Sequence, residues 1–135
     1  EESDTNPLSS YASTKLEAEK HILEKGGTIF RLGTVFGLGD TYSRLRMDLV
    51  VNVLTMKAVK DGEITINGGE QWRPIIAVKD IAEYVTEACE KKYSGVFIIS
   101  KENVMIRELG EKIAKLIPNT KINYTEISFQ DAIHG

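Results

Sequence analysis

The stretch from Ser9 to Gly33 constrains the fold more than any other part of the chain. A polar lead containing Pro7 ends at Ser9 and Ser10, either of which suits a helix N-cap. The run that follows, to about residue 25, carries Leu16, Ile22 and Leu23 with Ala12 and Ala18 as a modest apolar stripe. Gly26-Gly27 is a stop signal. Thr28-Ile29-Phe30-Arg31-Leu32 then reads as a short strand, rich in β-branched and aromatic residues and bounded by Gly27 and Gly33. A helix that passes this directly into a strand is an α/β unit, so the expected class is α/β with a parallel sheet.

The rest of the chain alternates in the same way. Residues 44–60 predict a second helix with Leu49, Val50, Val53 and Leu54 on one face, closed by Asp61-Gly62. Glu63-Ile64-Thr65-Ile66-Asn67 alternates like a strand, and Gly68-Gly69 turns the chain. Ile75-Ile76-Ala77-Val78 is a continuous apolar run suited to a buried strand. Asp80 is placed to cap a helix over 81–92, whose Ile81, Val85, Ala88 and Cys89 share a face, which makes Cys89 a core thiol. Residues 95–100 predict another strand, and 106–116 a helix striped by Leu109, Ile113 and Leu116. Residues 122–125 give a weak last strand. The tail, with His134, carries no argument. His21 has no second ligand at metal-binding spacing, so no metal site is expected.

Bulk properties exclude several classes. The 135 residues carry a net charge of −3 and no basic cluster longer than two residues, which argues against a nucleic-acid partner. No apolar run approaches the roughly 20 residues of a membrane span. The acidic, polar start gives no sign of a signal peptide. One cysteine excludes an internal disulfide and fits a reducing compartment, so a cytoplasmic location is expected.

The chemistry concentrates at Tyr11-Ala12-Ser13-Thr14-Lys15. Residues four apart on a helix project from one face. A cation beside a phenol favours the phenolate, which equips a tyrosine to take a proton from an alcohol and return it. Further on, Gly33-Thr34-Val35-Phe36-Gly37-Leu38-Gly39 has the order G-x-x-x-G-x-G, not the dinucleotide fingerprint G-x-G-x-x-G. It reads as a flexible loop at the carboxyl end of a strand, where open α/β sheets place ligands. Arg44 and Arg46 either grip a diphosphate or open a solvated helix.

Pro-Leu-Ser-Ser-Tyr-Ala-Ser-Thr-Lys-Leu-Glu-Ala-Glu resembles the active-site segment of the extended short-chain dehydrogenases/reductases, the sugar-nucleotide epimerase/dehydratase group. Pro7, Ser9 and Glu19 stand at that family's positions around Tyr11 and Lys15. The resemblance continues through the family's Arg-x-x-Asn-Val-Tyr-Gly-Pro segment, where Arg31, Val35 and Gly37 match and Thr34 replaces an Asn that commonly faces substrate. Arg73, Val78 and Asp80 match a later segment whose arginine clamps nucleotide-sugar phosphates. Ala77 stands where His or Tyr is usual.

The resemblance implies the C-terminal part of a Rossmann-type NAD(P)-binding fold with a small substrate lobe, using NAD, with NADP as the alternative. It makes Tyr11 the acid/base and Lys15 the holder of the nicotinamide ribose, with Gly33 beside them in the cofactor site. Thr34, Arg46, Asp48 and Arg73 become substrate-binding candidates. For Arg73 a salt bridge at a strand end is the structural alternative, and Trp72 reads as packing. Residues 1–40 and 74–100 would belong to the dinucleotide-binding half, and 41–73 and 101–135 to the substrate lobe. The family's Gly-rich pyrophosphate turn and upstream catalytic Ser or Thr are not in this sequence. The expected partners are therefore a nucleotide sugar and a missing N-terminal half or complementing chain, with a homodimer as a further assembly. The implied reaction is NAD-dependent epimerisation of a nucleotide-diphosphate sugar. The alternatives are a 4,6-dehydratase or decarboxylase, or a catalytically inactive nucleotide-binding or assembly module.

Overall fold

A computed structural model describes residues 5–44 and 46–126. Leu45, the second residue of the helix expected over 44–60, and the tail 127–135 with His134 lie outside the described residues. In order the elements are α1 (Ser10–Glu24), β1 (Thr28–Leu32), β2 (Thr34–Phe36), α2 (Val50–Asp61), β3 (Glu63–Asn67), β4 (Trp72–Ala77), α3 (Val78–Lys91), β5 (Gly95–Ile99), β6 (Glu102–Met105), α4 (Ile106–Leu116) and β7 (Lys121–Thr125). The α/β class is as expected. β1 pairs with β5, β2 with β4, and β3 with β7, all in parallel, while β6 joins β4 antiparallel. The strands form three small sheets, β1-β5, β2-β4-β6 and β3-β7. Among the described residues β1 and β5 each have a hydrogen-bonded neighbour on one side only.

The core lies where α2 and α4 close over β3, β4 and β6. Ile64, Ile66 and Val104 are shielded almost completely, and Leu54, Ala58, Ile75, Ile106, Leu109 and Ile113 pack around this centre. Gly110 explains how closely α4 approaches. A Cβ built there would lie 2.3 Å from Ile66 Cδ1 and 3.4 Å from Ile64 Cδ1. Glycine weakens a helix interior by about 1 kcal/mol, and here that loss is exchanged for contact between α4 and β3.

Several boundaries differ from the sequence reading. Thr34-Val35-Phe36 is a strand, not a loop, because a parallel partner at Ile75–Ala77 takes up its backbone groups. α2 begins at Val50 rather than residue 44. Upstream, Asp40 Oδ1 accepts from the backbone N–H groups of Tyr42 and Ser43 at 2.9 and 2.8 Å. A side chain that offers its own turn competes with the helix in this way. β4 starts at Trp72, two residues before Pro74. The proline is tolerated because the β2 register reaches only to Ile75, so at Pro74 the strand is still an edge. α3 starts at Val78, so its N-cap is Ala77 and Asp80 lies inside the first turn. There the carboxylate favours the helix dipole without capping it. β6 has no clear alternation in the sequence and owes its form to β4.

Two burial expectations are also corrected. Cys89 is exposed, and Ala88 alone is buried on α3, with Val85 exposed as well. The sheet beneath α3 is narrow and covers only a thin stripe of the helix. Leu116 is 82% exposed, because the core-facing stripe of α4 passes from Ile113 to Ile117, which packs against the cluster in its place.

Two outcomes follow from this packing. Gly110→Ala should destabilise the chain by up to about 2 kcal/mol, since overpacking costs roughly 1–3 and better helix propensity returns about 1. In an Ile66→Val background, which removes the obstructing Cδ1, the same substitution should stabilise by up to about 1 kcal/mol; denaturant titration of the four chains checks it. Cys89 should react with a thiol reagent in the folded chain at the rate of a free thiol, whereas protection relieved only by denaturant would contradict its exposure.

Candidate active site

α1 is initiated by side chains that its sequence supplies locally. Ser9 Oγ accepts from the Ala12 N–H at 3.1 Å, Ser13 Oγ donates to the Ser9 carbonyl, and Thr14 Oγ1 donates to the Tyr11 carbonyl. This fixes the first turn, on which Tyr11 stands 73% exposed. Lys15, one turn on, places Nζ 5.5 Å from the centre of the Tyr11 ring. A cation at this distance from an aromatic face is attracted to it. One further turn along, Glu19 forms a forked ion pair with Arg31 of β1, with Arg31 Nε to Oε1 at 3.0 Å and Nη2 to Oε2 at 2.7 Å. The two side chains are 31% and 18% exposed. The hydrogen bond from Arg31, outweighing the opposing effect of burial, holds the Glu19 carboxyl below the usual carboxylate range. α1 buries none of its residues, so this pair is its main polar attachment to the sheet. Lys15, Glu19 and Arg31 also border a cleft of about 320 Å³ with Asn6 and Pro7.

A second cavity, of about 430 Å³, opens between β2, β3, β4 and α2. Thr34, Asp48 and Arg73 line it together, as do Thr65, Asn67 and Gln71. Arg46, which lines a neighbouring cleft, is tied to Asp48, with Nε to Oδ1 at 2.7 Å and Nη2 to Oδ2 at 2.5 Å. The bond from Arg46 lowers the Asp48 carboxyl to about 2, and Asp48 in turn raises the guanidinium. A larger groove of about 680 Å³ between α2 and α4 is almost wholly apolar and contains none of the candidate residues.

Gly33 follows β1, and a Cβ on it would lie 2.9 Å from the Pro74 carbonyl oxygen, so the position has a packing reason of its own. Trp72, expected to pack, is 53% exposed on β4.

Sequence reasoning overlooked Asn52 and Gln71. Asn52 on α2 accepts from the Gly37 N–H at 3.4 Å and donates to the Arg46 carbonyl at 2.9 Å, joining both ends of the segment between β2 and α2. Gln71 accepts from the Gly69 N–H and donates to the Asn67 carbonyl, shaping the cavity wall. The Gly68-Gly69 turn two residues before Gln71 was the available signal for the second; the first is visible only in three dimensions.

The model of the NAD dependent epimerase/dehydratase family matches residues 1–99, and the chain belongs to this family. Among solved structures it is similar to UDP-N-acetylglucosamine 4-epimerase from Methanobrevibacter ruminantium in complex with UDP-N-acetylmuramic acid, with 25% identity over 96% of this chain and 44% of that one and a TM-score of 0.76. It is also similar to MoeE5 in complex with UDP-glucose and NAD, with 26% identity over 94% of this chain and 45% of that one and a TM-score of 0.70. The fold alone is shared with Helicobacter pylori ADP-L-glycero-D-manno-heptose-6-epimerase, at 20% identity over 88% of this chain and 40% of that one, with a TM-score of 0.76. The chain spans less than half the length of each. The Rossmann-type architecture and the family's NAD dependence are thus established. Among the described residues no helix is long and apolar enough to cross a membrane.

The Arg46–Asp48 contact has a direct readout. A carboxyl held at about 2 is an ion pair that persists above its unfolded value near 3.8 and is lost as pH falls through about 2. Carbon-detected NMR should show Asp48 titrating below the ordinary aspartate range. Arg46→Ala should return it to the ordinary aspartate range, and an Asp48 midpoint unmoved by the substitution would contradict the pairing.

Proposed function

We propose that this chain carries the tyrosine helix and substrate lobe of an NAD-dependent enzyme that epimerises a nucleotide-diphosphate sugar. What supports the reading most is one juxtaposition. Thr34, Asp48 and Arg73, far apart in sequence, line a single cavity, and Arg46 is paired with its Asp48 wall. Such arginines suit a diphosphate, and Tyr11 with Lys15 supplies an acid/base group for the alcohol it carries. The UDP sugars in the two relatives above agree with that ligand class.

In this reading residues 1–40 and 74–100 belong to the dinucleotide-binding half, and 41–73 and 101–135 to the substrate lobe. Tyr11 Oη takes the proton of the sugar hydroxyl and later returns it. Lys15, in contact with the Tyr11 ring and in no ion pair among the described residues, is open to hold ribose hydroxyls. Gly33 contributes only backbone. NAD, when bound, accepts and gives back the hydride. Arg73 and Arg46 hold the diphosphate, so that binding energy remote from the reacting carbon positions it. Thr34 faces the sugar from the start of β2, and Asp48 stands beside Arg46.

The pyrophosphate of NAD needs a cradle, which a preceding half of the protein or a complementing chain supplies along β1. That strand has one unpaired edge among the described residues, and Tyr11, Leu8, Ile22 and Leu23 stand uncovered nearby. An unpaired strand edge is a ready template for another strand.

In the enzyme completed with such a half, Tyr11→Phe should reduce turnover by about 10²-fold or more while leaving NAD affinity nearly unchanged. Turnover within a few-fold of the parent would remove Tyr11 from the acid/base role. Arg73→Ala should weaken UDP binding roughly tenfold to a hundredfold, the scale of a charge-assisted phosphate contact of about 1.5–3 kcal/mol, and leave NAD binding intact. A lower melting temperature with normal UDP affinity would make Arg73 structural instead.

A further inference from the structure

We infer that Asp48 acts as an internal stand-in for the substrate's diphosphate, occupying Arg46 until that anion displaces it, rather than contacting substrate itself. The inference rests on the reading of the 430 Å³ cavity as a nucleotide-diphosphate site and divides the roles of two residues within it.

The geometry of the pair carries it. Asp48 offers both carboxylate oxygens to two nitrogens of Arg46, at 2.7 and 2.5 Å, in the same forked arrangement that a phosphate presents to a guanidinium. The partners are only two residues apart, on the segment between β2 and α2, so the exchange needs rotation of side chains and no movement of an element. The backbone beneath is already fixed, since Asn52 Nδ2 holds the Arg46 carbonyl at 2.9 Å.

Exposure makes the pair replaceable. The side chains are 66% and 63% exposed, and solvated ion pairs contribute little. The Glu19–Arg31 pair, with the same fork but less than a third exposed on each side, is the structural counterpart that does not exchange. Asp48 also lines the cavity while Arg46 does not, so the carboxylate stands between the cavity and the arginine. An entering diphosphate meets Asp48 first and gains Arg46 only by releasing it. The pair therefore sets a threshold: a neutral sugar cannot break it, whereas a diphosphate replaces one anion with another of higher charge.

The test is calorimetric titration of UDP into the enzyme completed with its other half, in four versions: the parent, Asp48→Asn, Arg46→Gln and the double variant. The surface location of both residues predicts melting temperatures close to the parent's. Asp48→Asn should tighten UDP binding about two- to tenfold, by removing the competitor. Arg46→Gln should weaken it, and in that background Asp48→Asn should give little further gain. An equal gain in both backgrounds overturns the exchange in favour of plain charge repulsion. Weaker binding by Asp48→Asn overturns it in the other direction, making Asp48 a ligand. If the parent and Asp48→Asn chains both fail to bind UDP, the cavity assignment falls and this inference with it. That result is distinct from the others, in which UDP binds and only the coupling differs.

Discussion

Gly33 lies where the chain leaves the β1-β5 sheet for the β2-β4-β6 sheet, and the step is possible because a side chain is missing there. The nearest neighbours of a built Cβ are the carbonyl oxygen, carbonyl carbon and Cβ of Pro74, at 2.9, 3.0 and 3.2 Å. Backbone and a proline ring cannot swing aside as the end of a flexible side chain can. The crossing is secured on both sides: the Gly33 N–H donates to Ile99 at 2.9 Å, and the Lys101 N–H donates to Ile75 at 2.9 Å. The chain thus passes between the sheets twice, at neighbouring points, with a hydrogen bond at each. Much of the candidate site is placed from this seam. Thr34 is the next residue, Arg73 precedes Pro74, and Arg31 two residues upstream holds Glu19 and with it the Tyr11–Lys15 helix.

The sequence was most readable where local chemistry and tertiary context agree. Ser9, Gly26 and Gly27 bound α1 as their side chains or lack of them require, and β1, β3, β5, α4 and β7 lie within a residue or so of the expected positions. Where a long-range partner decides, the reading failed. Thr34–Phe36 has the composition of a strand, but three residues between glycines become one only beside Ile75–Ala77. Asp80 has the residue type of a cap and the wrong position, because Val78 continues into the helix instead of ending the strand. Cys89 and Leu116 sit at helical spacing from buried residues, yet periodicity reports which residues share a face, not how far the opposing surface extends.

The site shows the same division. Tyr11 and Lys15 could be paired from their spacing alone, because a helix places them together without help from elsewhere. That Thr34, Asp48 and Arg73 share one cavity depends on β2, β4 and α2 converging, which no local pattern encodes. The family resemblance singled out individual candidates, while their grouping came only from the fold. Asn52 escaped both routes, since an asparagine within an apolar helical run carries no signal until its two backbone partners are in place.

The two forked arginine pairs show how burial turns the same contact to different ends. Arg31–Glu19 links a helix without a buried residue to the strand beneath it. Partly screened from water, it resists exchange, so it can hold the orientation of the turn that bears Tyr11 and Lys15. Arg46–Asp48 has equally short contacts, but water competes freely for both groups, so its energy is small and its arginine remains available. Short distance therefore does not distinguish a structural ion pair from a functional one; solvent access does. On the proposed reading Arg46 needs a partner that keeps it oriented but can be displaced, and a carboxylate two residues away in an exposed segment meets both requirements. On the proposed reading, closure of the site by the other half of the enzyme would strengthen each remaining charge contact by excluding water. The order of events then matters: the exchange at Arg46 has to precede closure, while the pair is still solvated enough to yield.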